Sequence, residues 1–488
     1  MKEKECVPFA PSLIESMRFL GYSFPSAIAD LLDNSISADA KNINIISEPA
    51  VDPSLIIMDD GCGMSEKECY EAMRYGCNNP LNKRDASDLG RFGLGMKSAS
   101  LSQCRKLIVV SKHRGKVCGY SWDLDFVIRK KAWTLQVLQN DEIDELPHIE
   151  ELKKLKHGTF LLLRNFDRIK ENTSNISETF NNCLVEMSKH LALVFHRFIA
   201  DGLNIYVNKN RIEGRDPFLS NHKATQKKRT TSIFIDEKEI KLTPYILPHL
   251  SKLNQDDLDK IGGKENLRRE QGFYVYRNKR LIIWGTWFRL IGKDELNKLA
   301  RVEVDIPNTL DYLWSIDIKK STVTLPDIIK KNMYSAVYES VAASERVHTY
   351  RGRKEKSDND IDYVWEKKER KSRDGYEYLI NRNIPQMTML EETMDSQQVK
   401  MLSTLLTTLE KTFPVGAFYV DAAKGKIETD EKNDNVIEEV WDELKEQIDY
   451  IKEHNLSEKK YYESFLTVEP YCNYEEIKKR IREEISKL

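Results

Sequence analysis

The sequence predicts an α+β protein, with a mixed α/β domain first, a second strand-rich α+β domain, and a mostly helical C-terminal region. Three observations carry this. From Phe24 to Ala38 the apolar residues Phe24, Ala27, Ile28, Leu31 and Leu32 recur at helical spacing, and Pro25 suits a first turn. The stretches KLIVVSKHRGKVCGYSWDLD and HGTFLLLRNF alternate in the manner of antiparallel strands. Beyond Leu325 the chain turns charge-dense, with long helical patterns in QQVKMLSTLLTTLEKTF and VIEEVWDELKEQIDYIKEH.

At 488 residues the chain exceeds one ordinary domain of about 100–200 residues. The expected division is 1–215, 216–345 and 346–488. Hydrophobic residues make up 40% and charged residues 32%, which fits a folded protein with a highly charged surface and not a disordered one. A net charge of −2 gives no global sign of a nucleic-acid partner, so any basic footprint must be local. The eight cysteines include no CxxC pair and no His at finger spacing, so neither a zinc site nor a disulfide framework is expected. The start MKEKECVPFAPS lacks the apolar core of a signal peptide and no run approaches a membrane span. A cytoplasmic protein without a membrane partner is expected.

In chain order, INIIS and SLIIMDD read as short buried strands closed by the glycines of DDGCGM. A polar loop from Gly76 to Asp88 feeds LGRFGLGMKSAS, and EMSKHLALVFHRFI reads as an amphipathic helix. TSIFID, GFYVYRNKRLII, ARVEVDIP and LWSIDIKKS are the strands of the second domain. The segment RGRKEKSDNDIDYVWEKKERKSRDG reads as a linker or an extended helix.

Four elements carry chemistry. Asp30 and Asn34 are four apart and share a helix face opposite the apolar stripe, where a carboxylate and an amide oxygen can serve one hydrated Mg²⁺. Taken alone, a solvated helix face is the plainer reading of the pair. Asp59 ends an apolar strand, and Gly61 and Gly63 beside Met64 let the backbone turn closely around a flat ligand. A buried carboxylate there can accept from an exocyclic amine; an ordinary glycine turn is the plainer alternative. Gly90, Arg91, Phe92, Gly93, Leu94, Gly95, Met96 and Lys97 form a glycine-rich loop opening a helix, suited to phosphate but without Walker spacing. Thr159, in His157-Gly158-Thr159, offers a hydroxyl at the start of the strand FLLL.

In this order and spacing the four elements resemble the N box, the two glycine boxes and the closing Gly-Thr strand of GHKL ATPases such as gyrase and MutL. SAIADLLDNSISADA, IIMDDGCGM and LGRFGLGMKSAS look closest to MORC-type ATPases, including prokaryotic MORC-like proteins found beside anti-phage genes. The resemblance covers about residues 10–215. It implies a Bergerat-type ATP-binding sandwich in which Asn34 holds Mg²⁺, Asp59 reads the adenine amine, Thr159 assists it and Gly90 to Lys97 cover the phosphates. The family usually has Glu where this chain has Asp30, the implied catalytic residue; the shorter side chain predicts slower hydrolysis or a larger part for Asp33. The second domain resembles the S5-like transducer of the same proteins, whose lysine reaches the γ-phosphate; Lys319 and Lys320 are the candidates, Lys320 preferred.

The favoured function is an ATP-gated dimeric clamp in DNA-related or anti-phage work, with DNA or a partner nuclease as further partners. The leading segment PFAPSLIESMRFLGY is expected to pack across the dimer. A non-hydrolysing nucleotide sensor or scaffold and a chaperone-like ATPase are the alternatives. A histidine kinase fits poorly, since almost nothing precedes Asp30 to carry a phospho-acceptor helix. Of the remaining polar groups, His190 and His196 read as core or boundary histidines. Arg277, Lys279 and Arg280 read as an exposed turn or a nucleic-acid backbone contact.

Overall fold

The computed structural model describes residues 7–19, 21–48, 52–75, 95–171, 173, 175–235, 238–307, 310, 362–369, 376–415, 418 and 436–488, with helical positions at 333, 334, 337, 338, 341 and 344. They fall into two units, residues 1–351 and 352–488.

The first unit begins with α1 (Ala10–Arg18), α2 (Phe24–Ser37), β1 (Asn42–Glu48), β2 (Ser54–Asp59) and α3 (Glu66–Met73). It continues with α4 (Gly95–Gln103), β3 (Lys106–His113), β4 (Lys116–Asp123), α5 (Leu124–Lys130), β5 (Gln136–Val137), β6 (Gly158–Arg164), β7 (Asn204–Val207) and β8 (Asn210–Arg211). These strands form one sheet in the order β5-β4-β3-β6-β2-β1-β7-β8. Its neighbours run antiparallel except β1 and β7. The period-two alternation explains why both faces are covered. Leu55, Ile57, Leu107, Val109, Leu161 and Leu163 enter a core shared with α2, α4 and the helix Ile176–Val194. Ile56, Met58, Ile108, Val110, Phe160 and Leu162 meet Ile143, Ile149 and Leu152 on the other face. This is the mixed α/β domain that the periodicities predict, arranged as the sandwich that the resemblance implies.

The leading segment packs on its own domain. Ala10 and Ile14 are buried in the first core. Arg18 forms a two-point pair with Asp167 at 2.5 and 2.9 Å and donates to Leu101 O at 2.8 Å. Val7, Phe9 and Phe19 on the outer side are exposed.

The second sheet contains β9 (Gln226–Lys227), β10 (Thr231–Ile235), β11 (Lys238–Ile246), β12 (Gly272–Arg277), β13 (Arg280–Thr286) and β14 (Ala300–Ile306). Its order is β10-β11-β14-β12-β13, with β9 paired to β11. Phe273, Val275, Val302 and Val304 face a second core, whereas Tyr245, Tyr274, Tyr276 and Leu281 join the core of the first sheet. The first unit therefore has a continuous apolar junction between its two sheets. The expected strand LWSIDIKKS lies outside the described residues.

In the second unit the helices Pro385–Thr393, Val436–Glu453, Glu458–Phe465 and Glu475–Ile485 pack around Leu444, Ile451, Tyr461, Tyr462, Phe465 and Ile477. One departure from expectation stands at its start: Trp365–Glu369 is a strand paired antiparallel with Tyr376–Ile380, and not part of a linker or helix. Among the described residues no helix is long and apolar enough to cross a membrane.

Candidate active site

Helix α2 owes its start to a capping box. Ser23 Oγ accepts from Ser26 N at 3.3 Å, Ser26 Oγ accepts from Ser23 N at 3.1 Å, and Pro25 sits in the first turn. Phe24, Ala27, Ile28, Leu31 and Leu32 bury the inner face. The opposite side carries Asp30, half-buried, and Asn34, exposed. Asp30 Oδ2 accepts from Tyr22 OH at 3.0 Å, which fixes its carboxylate. Asn34 Nδ2 donates to Asp30 O at 3.3 Å, leaving Oδ1 as the atom that can serve a metal.

Strand β2 ends at Asp59, 4% exposed. Its Oδ1 accepts from Gly61 N at 2.9 Å and Thr159 N at 3.2 Å, and its Oδ2 accepts from Ser35 Oγ at 2.8 Å. Burial pushes the Asp59 carboxyl above its ordinary value, and the three donors only partly offset this. A carboxylate has about four lone-pair sites, so three neutral donors leave room for one more. Ser35 follows Asn34 directly, so the amide on α2 and the carboxylate on β2 are one residue and one hydrogen bond apart. The neighbouring Asp60 has a different task. Its oxygens accept from Lys41 N, Asn42 N and Asn42 Nδ2 at 2.7–2.9 Å, fastening β1 to β2. Burial there is outweighed by those bonds, so its carboxyl lies below the usual range.

The glycines close the turn after β2. Gly63 has φ +65°, and a Cβ on it would lie 2.0 Å from Lys112 O; one on Gly61 would meet Ala38 Cβ at 2.8 Å. Thr159 pairs with Asp59 across β2 and β6, and its Oγ1 lies 3.4 Å from Ser111 Oγ. Ser111 Oγ also accepts from Met64 N at 2.8 Å, tying the glycine turn to β3. Ser35, Ser111 and Tyr22 all escape sequence reasoning, because a lone hydroxyl carries no spacing signal.

The glycine-rich segment is only partly among the described residues. Gly90, Arg91, Phe92, Gly93 and Leu94 lie outside the described residues, as do Lys319 and Lys320. Gly95 and Met96 open α4, and Ser98 Oγ in its first turn is buried without a partner among the described residues. Lys97 departs from its expected place over phosphates. It is 2% exposed, and its Nζ donates to Ala72 O at 2.7 Å and Arg74 O at 2.8 Å. The last carbonyls of a helix are orphaned and carry partial negative charge, so a cation is well placed at the end of α3.

Two further expectations are corrected by the junction between the sheets. Asp33 is 8% exposed, and its Oδ1 accepts from Arg280 Nε at 2.9 Å, so it is committed to an ion pair and not to a water molecule. Arg277 and Arg280 are buried, not exposed on a turn, and Lys279 Nζ pairs with Asp201 at 2.6 Å. His196 is buried, with Nε2 2.8 Å from Tyr276 OH, and burial brings its pKa down to about 4.

Residues 22–159 match the family described as histidine kinase-, DNA gyrase B-, and HSP90-like ATPase, a span that contains Asp30, Asn34, Asp59 and Thr159. The chain is 34% identical over 91 residues to the DNA mismatch repair protein MutL of Rickettsia canadensis, covering 18% of this chain and 15% of that protein. To MutL of Buchnera aphidicola subsp. Acyrthosiphon pisum it is 35% identical over 88 residues, with the same coverage. To ATPase morc-1 of Caenorhabditis elegans it is 34% identical over 91 residues, 18% of this chain and 10% of that one. The matches thus span less than a fifth of these relatives. A crystal structure of the N-terminal domain of a DNA repair protein aligns with a TM-score of 0.42 at 15% identity, over 68% of this chain and 99% of that chain.

Proposed function

We propose that the protein, whose residues 22–159 match the histidine kinase-, DNA gyrase B-, and HSP90-like ATPase family, binds ATP with Mg²⁺ and hydrolyses it at the site between α2 and the end of β2. The observation that supports this most is Asp59: a buried carboxylate held by three neutral donors, with acceptor capacity left for the adenine amine. Thr159 and Ser111 add hydroxyls beside it. The donor set also fits the metal, for Mg²⁺ takes hard oxygen ligands and keeps waters, and Asn34 offers an exposed amide oxygen beside a fixed carboxylate. Bound there, the ion would neutralise phosphate charge. Asp30 orients the attacking water and accepts its proton, with Tyr22 OH holding the carboxylate in place.

In this reading residues 1–215 are the ATP-binding domain, 216–345 an S5-like transducer, and 346–488 the linker and helical region. The segment from Gly90 to Met96 closes over the phosphates and Lys320 or Lys319 contacts the γ-phosphate. Nucleotide binding joins two copies into a clamp, MORC-like in action, on DNA or with a partner nuclease, in a cytoplasmic, anti-phage setting. A non-hydrolysing sensor is the second reading, favoured by the short Asp30 being tied to Tyr22. Fluorescent-nucleotide titration and phosphate release separate the two. Wild type is expected to bind and turn over, and Asp30→Asn to bind without turnover; equal release from both removes Asp30 from the chemistry. An unchanged sedimentation profile with a non-hydrolysable analogue removes the clamp.

A further inference from the structure

We propose that Arg280, which belongs to the second sheet, is a positioning residue that fixes the rotation of α2 and with it the places of Asp30 and Asn34. The inference rests on the ATPase reading of that site. With 3.6 residues per turn, successive side chains step about 100° around a helix. Viewed down α2, Asp33, Asp30, Asn34 and Ser35 therefore follow one another around the axis. The two working residues lie between two anchors. On one side Ser35 Oγ donates to Asp59 at 2.8 Å; on the other Asp33 accepts from Arg280 at 2.9 Å. A rotation of about 20° would carry a side-chain tip on the order of 2 Å, and a displacement of about 1 Å at reacting groups costs on the order of 100-fold in rate.

Arg280 is built to hold still. Its Nη1 donates to Leu281 O at 2.7 Å and its guanidinium lies 4.5 Å from the centre of the Phe195 ring. It opens β13 directly after the tight turn at Asn278 and Lys279, whose φ values are +46° and +67°. The same hairpin is fastened to the first sheet's helices by the buried pair of Tyr276 OH and His196 at 2.8 Å. Beside it Arg197 pairs with Asp305 of β14 at 2.5 Å. Asp30 and Arg280 also line one cleft, together with Leu281 and Trp284. A shift of the second sheet is thus delivered to α2 through a buried guanidinium, next to the residue that orients water.

The test uses the full-length chain with Arg280→Lys, Arg280→Gln, Asp33→Asn, the double variant Asp33→Asn/Arg280→Gln, and Lys279→Ala as a control. Affinity is read with a fluorescent ATP analogue, turnover by single-turnover phosphate release, and helix order by hydrogen exchange of α2 amides without nucleotide. Affinity is expected within about threefold of wild type, because the base is read from β2. Release should fall about 10- to 100-fold in Arg280→Lys and Asp33→Asn, the double variant should be no slower than the slower single, and α2 exchange should quicken. Lys279→Ala should release phosphate as wild type does. Wild-type release and exchange in Arg280→Lys and Asp33→Asn overturn the proposal, as do independent, multiplying losses in the double variant. Should Arg280→Gln not fold, Arg280→Lys with Asp33→Asn decides. Wild-type protein that binds no nucleotide overturns the ATPase reading itself, a result distinct from turnover that ignores Arg280.

Discussion

Two buried aspartates, one on α2 and one bonded to it, are held in opposite ways. Asp59, at the end of β2, has three neutral donors, and the direction of its pKa shows that burial is not fully offset. Asp33, on α2, has a guanidinium in contact. A carboxylate left partly unsatisfied in a low-dielectric pocket is held ready for a ligand; one closed by a fixed cation is held ready for nothing but its partner. On the function proposed above, that difference suits the first to recognition and the second to geometry.

Asp33→Asn tests the second half of that contrast with the largest expected effect. It leaves a buried guanidinium without its counter-charge, for which a loss of about 3–5 kcal/mol is usual. Chemical denaturation should show it, and the loss should shrink when Arg280→Met is added, since an apolar stem of similar length can replace the pair. Equal or larger loss in the double variant would mean that the pair is not what Asp33 contributes.

Asp59→Asn sharpens the first half. The amide oxygen still accepts from Gly61 N and Thr159 N, but the NH₂ takes the place of the Oδ2 that accepts from Ser35 Oγ, whose hydroxyl can turn to accept from it, and in the proposed site it meets the adenine amine donor to donor. Nucleotide affinity is expected to fall about 100-fold, the worth of a charge-assisted hydrogen bond of about 3 kcal/mol. Stability should not fall with it. Asp59 has its folded pKa raised above the unfolded value, so its ionisation costs stability at neutral pH, and that cost fades as pH falls toward 3.8. The asparagine variant should therefore melt at or above wild type near pH 7 and lose that advantage in acid. Tight binding with a lowered melting temperature would reverse the assignment.

Much of this site was legible because its signals are local. The apolar stripe of α2, the alternating strands and the carboxylate before two glycines need only short windows of sequence. What was hidden lies in long-range pairing. Arg280 and Asp33 are 247 residues apart, and nothing in FYVYRNKRL tells an inward arginine from an outward one. Strand β11 escapes notice because Pro244 interrupts its pattern. The strand accommodates it where β10 stops, opposite Leu242, and β9 begins, opposite Tyr245, so the missing N–H falls at a gap in the ladder. Trp365–Glu369 reads as part of a linker or an extended helix because the charged run Glu366-Lys367-Lys368-Glu369 shows no apolar alternation. Lys97 was misplaced for a related reason: a glycine-rich loop advertises phosphate, while the helix end that needs a cation is formed by residues some 23–25 positions earlier.

The junction that carries Arg280 can also be probed through pH. His196 has its folded pKa depressed to about 4 from 6.5, first by burial. Its contribution to stability is complete above 6.5 and is lost as pH falls from there to 4, because the unfolded chain takes up the proton first. Melting curves through that window should show a loss on the order of 3 kcal/mol, and His196→Gln should flatten it while keeping a donor for Tyr276 OH.

The smallest effect belongs to the exposed member of the same hairpin. Lys279 and Asp201 pair at 2.6 Å with more than half of each side chain in water, where ion pairs are worth about 0–1 kcal/mol. Lys279→Ala should therefore shift the melting temperature barely, and less still in high salt, which screens exposed charges over about 10 Å or less. Set beside Asp33→Asn, two residues of one hairpin, 279 and 280, meet the same domain through ion pairs of similar length and differ several-fold in consequence. If Lys279→Ala proved as damaging as Asp33→Asn, burial would not be what separates them, and the hairpin would have to be treated as one rigid clasp in which every contact counts.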